Sequence, residues 1–306
     1  MRPCRAFTVL VFLTFSLLAT ATKAAILQSS DPPSVSPHSR KSAANIDRLV
    51  ARARAGDVSA QFQLGLAYEL ATGTNVDYLR AREWYEKAAN AGNPSAQNNL
   101  GVLYAYGRGI ERDDVRALNW YLRAAVAGNA AAQNNVGYMY SNGRGTKADL
   151  AEAVRWYQKA AAQHFAAAEA NLACLYSLGR GLPRDDHQAA RLYLLAAKSG
   201  NVSAQEALAR LYSEGRGLPQ DFTQAAKWLR KAAAQGSATA RNNLGVAYEH
   251  GKGVVQDLQQ ALRLYQEAAQ QGLAEAIRNA QTLQAAAISK TDHRPQKAEL
   301  ETATAE

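Results

Sequence analysis

Residues 94–128 read PSAQNNLGVLYAYGRGIERDDVRALNWYLRAAVAG. The same skeleton returns 36 residues later, so that Gly101 is matched by Gly137 and Asp113 by Asp149. A fixed period of this length is typical of repeat architectures, in which each repeat is one supersecondary element that must stack on its neighbours to bury its apolar side. The stretch therefore predicts a stack of similar repeats before any single residue is considered.

Each repeat reads as two helices joined by a glycine-rich turn. The first helix carries a Leu-Gly-x-x-Tyr segment, and glycine recurs inside it at Gly65, Gly101, Gly137 and Gly245. Since glycine inside a helix costs about 1 kcal/mol relative to alanine, its recurrence predicts that two helices cross closely there, with a neighbouring ring over the bare backbone. The second helix carries Ala, Trp-Tyr and Ala-Ala at helical spacing, which indicates a buried stripe. No strand is predicted, so the fold class is an all-α solenoid.

An aspartate recurs after every turn, and we predict that it caps the second helix. These residues are Asp77, Asp113, Asp149, Asp185, Asp221 and Asp257. Three residues later, Glu152, Gln188, Gln224 and Gln260 are predicted to complete capping boxes. This structural role argues against catalysis by these aspartates. At one junction, His164-Phe165 replaces the usual Gly-Asn, and we expect that junction to be strained or bent.

The N-terminus has the layout of a secretory signal, which we assign to residues 1–24. Arg2 and Arg5 precede an apolar run over residues 6–19, and small residues follow. The run is shorter than the about 20 apolar residues that a membrane span needs, so no transmembrane anchor is expected after cleavage. Residues 25–44 are rich in Ser and Pro and are predicted to be a disordered linker.

The remaining boundaries follow from the period. Residues 45–56 are predicted to form an N-terminal capping helix, and residues 57–272 form six complete repeats. Residues 273–290 lack the Leu-Gly-x-x-Tyr segment and are predicted to form a C-terminal capping helix. Residues 291–306 are polar and are predicted to be disordered.

Charge and cysteine content bound the partners and the chemistry. Removal of the signal lowers the formal net charge from +9 to +6, which suits an acidic protein, an acidic glycan or an anionic surface. Export argues against nucleic acid. Cys4 leaves with the signal, so Cys174 has no partner for an internal disulfide. We interpret Cys174 as a small apolar side chain, with a reactive thiol as the alternative.

The repeat resembles a known family. A 36-residue period with Ala-x-x-x-Leu-Gly-x-x-Tyr, then Gly-x-Gly, then Asp, then Ala-x-x-Trp-Tyr-x-x-Ala-Ala-x-x-Gly is similar to the Sel-1-like repeat, a relative of the tetratricopeptide repeat. The resemblance implies a right-handed α-solenoid of stacked antiparallel helix pairs with a concave face, acting as an adaptor for other proteins. Exported bacterial members are associated with envelope signalling, exopolysaccharide control and contact with host cells.

No catalytic motif emerges from the sequence. Some cysteine-rich members of the family are associated with β-lactam binding or hydrolysis, but this sequence contains no Ser-x-x-Lys motif. The five histidines show no metal-ligand spacing. We therefore predict a non-enzymatic protein without cofactor, metal or catalytic residues.

Positions of the first helix outside its core vary between repeats, which would suit a surface tuned to one partner. Drift on an idle surface would look the same. By resemblance to tetratricopeptide proteins, we assign this face to the concave groove. The predicted partner-binding residues are Asn98, Val102, Tyr106, Asn134, Tyr138, Asn142, Arg210, Glu214 and Asn242.

Two further series have alternative interpretations. The neighbouring asparagines at Asn99, Asn135, Asn171 and Asn243 are expected to make structural bonds between helices. The turn cations form either a basic ridge or a set of solvated turn residues, and they are Arg108, Arg144, Arg180, Arg216 and Lys252.

The sequence as a whole predicts an exported, periplasmic or secreted scaffold that binds a protein or peptide in the cell envelope. A link to envelope signalling or exopolysaccharide production would follow from the family resemblance. The alternatives are a factor that binds or processes cell wall or glycan, and a secreted factor that contacts a host.

Overall fold

The computed structural model describes the backbone of residues 37–72 and 74–292, and the side chains of residues 45–72 and 74–286. The predicted signal peptide, the linker before residue 37 and the tail from residue 293 lie outside the described residues. The described part of the chain contains fourteen α-helices and no strand. The predicted all-α fold class is confirmed.

The twelve inner helices have 12 or 13 residues each, as the constant period requires, and the first and last helices have 18 and 19. In chain order they are α1 (Pro37–Arg54), α2 (Val58–Leu70), α3 (Tyr78–Asn90), α4 (Pro94–Tyr106), α5 (Asp114–Val126), α6 (Ala130–Asn142), α7 (Leu150–Ala161), α8 (Ala166–Leu178), α9 (Asp186–Lys198), α10 (Val202–Glu214), α11 (Phe222–Ala234), α12 (Ala238–His250), α13 (Leu258–Gln270) and α14 (Ala274–Asp292). Helix α1 begins at Pro37, whereas the sequence pattern placed the start of the capping helix at Asn45.

The helices divide into two compact units. Unit 1 contains α1–α8 and ends at Arg184, and unit 2 contains α9–α14 and begins at Asp185. Within each unit, every helix packs on the next one along the chain, such as α4 on α5 and α5 on α6 in unit 1, or α10 on α11 and α11 on α12 in unit 2. This neighbour-to-neighbour packing is the defining property of a solenoid.

The crossing glycines of the first helices lie against tyrosine rings of the second helices. A Cβ atom added at Gly101 would lie 2.7 Å from the ring of Tyr121, and one added at Gly65 would lie 2.5 Å from the ring of Tyr85. Gly137 and Gly245 are in the same position against tyrosines of their own second helices. The predicted close crossing is therefore confirmed, and it is made possible by the missing side chain.

The aspartate caps are confirmed in all six second helices. In each, a side-chain oxygen accepts the backbone N–H three residues later, as Asp113 does from Arg116 at 2.8 Å. The predicted capping boxes are wrong at Glu152, Gln224 and Gln260. The backbone N–H groups of the capping aspartates there donate instead to carbonyls of the preceding first helix: Asp149 to Tyr140 at 2.9 Å, Asp221 to Tyr212 at 2.9 Å and Asp257 to Tyr248 at 3.0 Å. The Glu152 carboxylate pairs with Arg155 at 2.9 Å.

The irregular junction of unit 1 is strained, as the sequence predicted. His164 has a φ of 58°, which lies in the left-handed region. This conformation is energetically unfavourable for any residue that carries a Cβ atom. Phe165 occupies the N-cap of α8 and provides no side-chain hydrogen bond. By comparison, Asn129 caps α6 by accepting the N–H of Ala132 at 2.8 Å.

Candidate partner-binding surface

Three of the predicted binding residues are amides that the structure buries. Asn134 and Asn242 are each 1% exposed, and Asn98 is 6% exposed. The side-chain amide of Asn135 donates to Asn98 Oδ1 at 3.0 Å and that of Asn171 to Asn134 Oδ1 at 2.9 Å. These amides therefore hold neighbouring repeats together, and they do not enter the binding surface proposed below.

The same bond recurs in unit 2, where Asn279 donates to Asn242 Oδ1 at 2.9 Å. The expectation that the neighbouring asparagine series bonds between helices is thus confirmed at Asn135 and Asn171. Val102, a fourth predicted binding residue, is 5% exposed and belongs to the core of unit 1. Its aliphatic side chain is used for packing.

Arg144 and Arg216, two of the turn cations, bind the preceding repeat rather than forming a ridge or pointing into solvent. Arg144 Nε donates to Asp114 Oδ2 at 3.1 Å, and Arg144 Nη2 donates to the carbonyl of Ala105 at 2.9 Å. In unit 2, Arg216 Nη2 donates to Asp186 Oδ1 at 2.7 Å. Both interpretations drawn from the sequence are therefore wrong at these two positions, because the partner lies 30 residues earlier in the chain.

Four of the five turn cations contact the residue that directly follows the preceding capping aspartate, and Arg180 is the exception. Where that residue is aromatic, the contact is a cation–π interaction. The Arg108 guanidinium lies 5.7 Å from the ring centroid of Tyr78, and the Lys252 ammonium lies 5.8 Å from that of Phe222. At the third turn of the series the corresponding residue is Leu150, which offers Arg180 neither a charge nor a ring.

The Asp114–Arg144 pair makes unit 1 sensitive to acid. Hydrogen bonding by Arg144 lowers the pKa of Asp114 to about 2, despite an opposing contribution from burial. The folded-state pKa lies below the unfolded value, so this stabilisation is present above about pH 4 and is lost as the pH falls towards 2. We expect Asp114→Asn to lower the free energy of unfolding by about 1–2 kcal/mol at neutral pH, with the difference from wild type shrinking below pH 4.

Urea unfolding over this pH range measures the effect. The matched control is Asp113→Asn, which removes the same charge one residue earlier while asparagine still serves as a helix cap. Equal losses in the two variants, or a loss in Asp114→Asn that persists at pH 2, would contradict a specific role for the ion pair.

Tyr106 and Asn142, the exposed predicted residues of unit 1, each lie at the end of a first helix. With Leu70 and Leu178, which were not predicted, they are the last residues of α2, α4, α6 and α8, and we call these four residues the helix-end row. Tyr106 is 37% exposed, Leu178 is 40% exposed and Leu70 is 44% exposed. Because each helix ends there in a turn, the next repeat leaves these side chains open on one side.

Tyr138 lies one helical turn before Asn142 and supports the row. It is half-buried, and the amide of Asn142 donates to its carbonyl at 2.8 Å. The Arg144 guanidinium lies 5.9 Å from the Tyr138 ring centroid, and that of Arg108 lies 5.4 Å from the Tyr106 ring. Partial burial raises the pKa of Tyr106, so its phenol stays neutral at physiological pH. The helix-end row therefore presents one aromatic, one amide and two aliphatic side chains, and arginines lie beside it.

Arg210 and Glu214, the two predicted binding residues that remain, lie on α10 of unit 2. Both are exposed, and Glu214 lies 3.4 Å from Arg216. They belong to a different compact unit from Tyr106, Tyr138 and Asn142.

An open cleft borders the helix-end row of unit 1, and sequence reasoning missed it. We call it the Arg180 cleft. Its lining includes Asn142, Leu150, Tyr157, Cys174, Leu178 and Arg180. The signal for it was present in the sequence, because Leu150 stands where Asp114 and Asp186 bind the turn cations of other repeats.

Two properties of the described residues concern metal binding and membrane insertion. No group of three or more His, Cys, Asp or Glu side chains is arranged to hold a metal ion within residues 45–72 and 74–286. Across the part of the chain that the structure describes, no helix combines the length and apolarity needed to traverse a bilayer.

Helix pairs at a fixed period, with a uniform core and varied exposed positions, define a helical-repeat scaffold of the protein-interaction type. The Sel1 repeat family matches six consecutive segments, residues 58–93, 94–129, 130–165, 166–201, 202–237 and 238–273. The chain therefore belongs to the Sel1 repeat family, whose members are typically non-catalytic interaction scaffolds.

Solved structures of related proteins agree with this assignment. A Sel1 repeat protein from Oxalobacter formigenes is 30% identical with a TM-score of 0.68, over 76% of this chain and 92% of that one. A protective antigen present in uropathogenic Escherichia coli strains, which displays an SLR fold, is 35% identical with a TM-score of 0.69, over 77% of this chain. The match covers 50% of that antigen, so the chain spans about half its length. Among curated proteins, none is similar enough to the chain to count as a match.

Proposed function

We propose that this protein is a non-enzymatic scaffold of the cell envelope that binds a protein or peptide through the helix-end row of unit 1. The observation that carries the proposal is the exposure of Tyr106, Asn142 and Leu178 at equivalent positions of successive repeats. Since the buried positions of the same helices repeat and these positions differ, the core does not account for them.

The chemistry of the row favours a polypeptide. Tyrosine and leucine side chains supply apolar contact area at low cost in conformational entropy, and the amide of Asn142 offers both a donor and an acceptor to a peptide backbone. The arginines beside Tyr106 and Tyr138 are held by aromatic rings and Asp114. A partner would therefore meet a positioned surface and lose little further side-chain freedom on binding.

The envelope location rests on the N-terminal pattern of residues 1–24 and on the excess of basic residues. Among similar proteins, the antigen from uropathogenic Escherichia coli is described as protective, which agrees with an exported class. A role in envelope signalling or exopolysaccharide production belongs to the same proposal, because an adaptor acts through the proteins that it holds.

Site-specific photo-cross-linking tests this function. A photoreactive phenylalanine analogue at position 106 is expected to capture a defined polypeptide in cells, whereas the same analogue at position 115 is expected to capture none. Val115 is the matched control because it is 57% exposed on α5 of the same unit but lies outside the row. In addition, the double variant Tyr106→Ala, Tyr138→Ala should lower affinity for the captured partner by at least about tenfold, with helicity by circular dichroism unchanged.

Three outcomes would overturn the proposal. The first is equal capture at positions 106 and 115. The second is retention of the protein by peptidoglycan or polysaccharide without any captured polypeptide, which would favour the glycan-binding alternative. The third is an unchanged affinity in the double variant.

A further inference from the structure

Arg180 differs from the other turn arginines in what surrounds it. Arg144 is held by Asp114 and a backbone carbonyl, and Arg216 is held by Asp186. Within residues 45–72 and 74–286, Arg180 makes no ion pair, hydrogen bond or ring contact, and its side chain is exposed. The site therefore carries a positive charge that nothing in the described part of the chain neutralises.

The cause is the replacement of an acid by a leucine at the position that follows the capping aspartate. A Cβ atom added at Gly181, next to Arg180, would lie 2.8 Å from the Cβ of Leu150. The turn of Arg180 therefore still lies against the start of the preceding second helix, although less closely than the ion-paired turns, where the corresponding distances at Gly145 and Gly217 are shorter. Leu150 occupies the position of the aspartate with an apolar side chain. The carboxylate of a ligand could therefore supply the negative charge that Arg180 lacks.

The Arg180 cleft is an open depression that borders this charge. Its volume is about 430 Å³ including the open mouth. Leu150, Leu178 and the ring of Tyr157 provide apolar contact area, and Asn142 provides an amide at the same opening. Burial raises the pKa of Tyr157, so its phenol adds no negative charge that would repel an anion.

We propose that the Arg180 cleft binds the C-terminal residue of a peptide, with its carboxylate on Arg180 and its apolar side chain against Leu150 and Leu178. A chain terminus suits the cleft because a single residue carries both the carboxylate and the apolar side chain. Asn142 and Leu178 belong to both the cleft and the helix-end row. This inference therefore rests on the proposed function, and it specifies that the C-terminus of the bound peptide lies at one end of the row.

Two labelled probe peptides test the carboxylate. Both end in Ala-Ala-Leu and carry a fluorophore at the N-terminus, one with a free C-terminal carboxylate and one with an amide. Fluorescence anisotropy is expected to show saturable binding of the free acid and at least about tenfold weaker binding of the amide. Occupancy should also slow alkylation of Cys174, which lines the cleft and is half-buried.

Leu150→Asp is the decisive variant, because the chain itself supplies the precedent of Asp114 with Arg144. The new carboxylate should pair with Arg180, abolish the preference for the free acid, and leave the thermal midpoint unchanged or raised. Arg180→Gln should abolish the same preference. The matched control is Leu258→Asp, the same substitution at the equivalent position of α13 in unit 2, where peptide binding should remain as in wild type.

Several results would overturn the subsite. They are equal binding of the acid and the amide, unchanged binding in Leu150→Asp, and displacement of the acid by inorganic phosphate at equal concentration, which would indicate a general anion site. If cross-linking at position 106 persists alongside any of these results, the proposed function stands and only the subsite fails. If cross-linking at position 106 is also absent, the proposed function fails first.

Discussion

Gly101→Ala is expected to lower the free energy of unfolding by about 2 kcal/mol, although alanine is the better helix former by about 1 kcal/mol. The added Cβ atom would lie 2.7 Å from two ring carbons of Tyr121 and 3.2 Å from the carbonyl oxygen of Ala117. Tyr121 is fully buried, so its ring has no space to move into. Urea unfolding monitored by circular dichroism measures the loss.

The chain suggests its own compensating change. In unit 2, Ala209 replaces the crossing glycine, and the residue at the corresponding ring position is Leu229. Tyr121→Leu should therefore cost less in the presence of Gly101→Ala than alone, with a coupling energy of about 1 kcal/mol or more. Strict additivity, or a stabilising effect of Gly101→Ala, would show that the ring does not set the cost.

Glu169→Gln is expected to raise the free energy of unfolding by about 1–2 kcal/mol at neutral pH. In repeats of unit 1, a glutamine at this position donates to a carbonyl eight residues earlier, as Gln97 does to Ala89 at 3.0 Å and Gln133 to Ala125 at 3.1 Å. Glu169 is only 2% exposed, and its Oε2 atom has no hydrogen-bond partner among the described residues. An ionised carboxylate has no N–H to donate, so glutamine restores the missing bond.

The gain should depend on pH in a defined direction. Burial raises the pKa of Glu169, against a smaller opposing effect of His164, whose Nδ1 lies 3.8 Å away. Because the folded-state pKa is above the unfolded value, the stability of the wild type is highest below the unfolded pKa near 4.5 and declines as the pH rises through the folded one. The advantage of Glu169→Gln should accordingly be largest at neutral pH and shrink in acid.

Gln133→Glu is the matched control, since it places the same buried carboxylate in a regular repeat. It should destabilise at neutral pH by an amount similar to the gain from Glu169→Gln. Thermal unfolding between about pH 4 and pH 8 compares the three proteins across the pKa range involved. A neutral Gln133→Glu, or a Glu169→Gln advantage that grows in acid, would contradict this account.

The features that the sequence predicted correctly are local and repeated. The aspartate caps were predictable because the aspartate side chain accepts the backbone N–H three residues later. The crossing glycines were predictable because glycine has a low helix propensity, so its recurrence inside helices indicates a close contact. The capping boxes failed although they too are local. The carbonyl of Tyr140, on another helix, already accepts the N–H of Asp149, and the sequence of the capped helix alone does not show that competition.

The site was harder to predict because helical period alone does not separate a groove from a contact between repeats. Asn98 and Tyr106 both lie outside the predicted core of the same helix. Asn135 of the next repeat covers Asn98, which is 6% exposed, whereas Tyr106 remains 37% exposed. The ion pair of Arg144 likewise joins residues 30 positions apart. Such pairs become visible only once the offset between neighbouring repeats is known.

The turn cations have a consequence for how chains of this kind change length. Because Arg144 interacts with the repeat before it, an in-frame loss of residues 94–129 would bring Arg144 opposite Tyr78, the ring that Arg108 now contacts. The contact between the newly adjacent repeats would then be a cation–π interaction in place of the Asp114–Arg144 ion pair, and neither partner would be left as an unpaired charge. We therefore expect gain or loss of whole repeats in this part of the chain to be tolerated at the contact between repeats, whereas the same event beside Leu150 would create or remove the proposed Arg180 subsite.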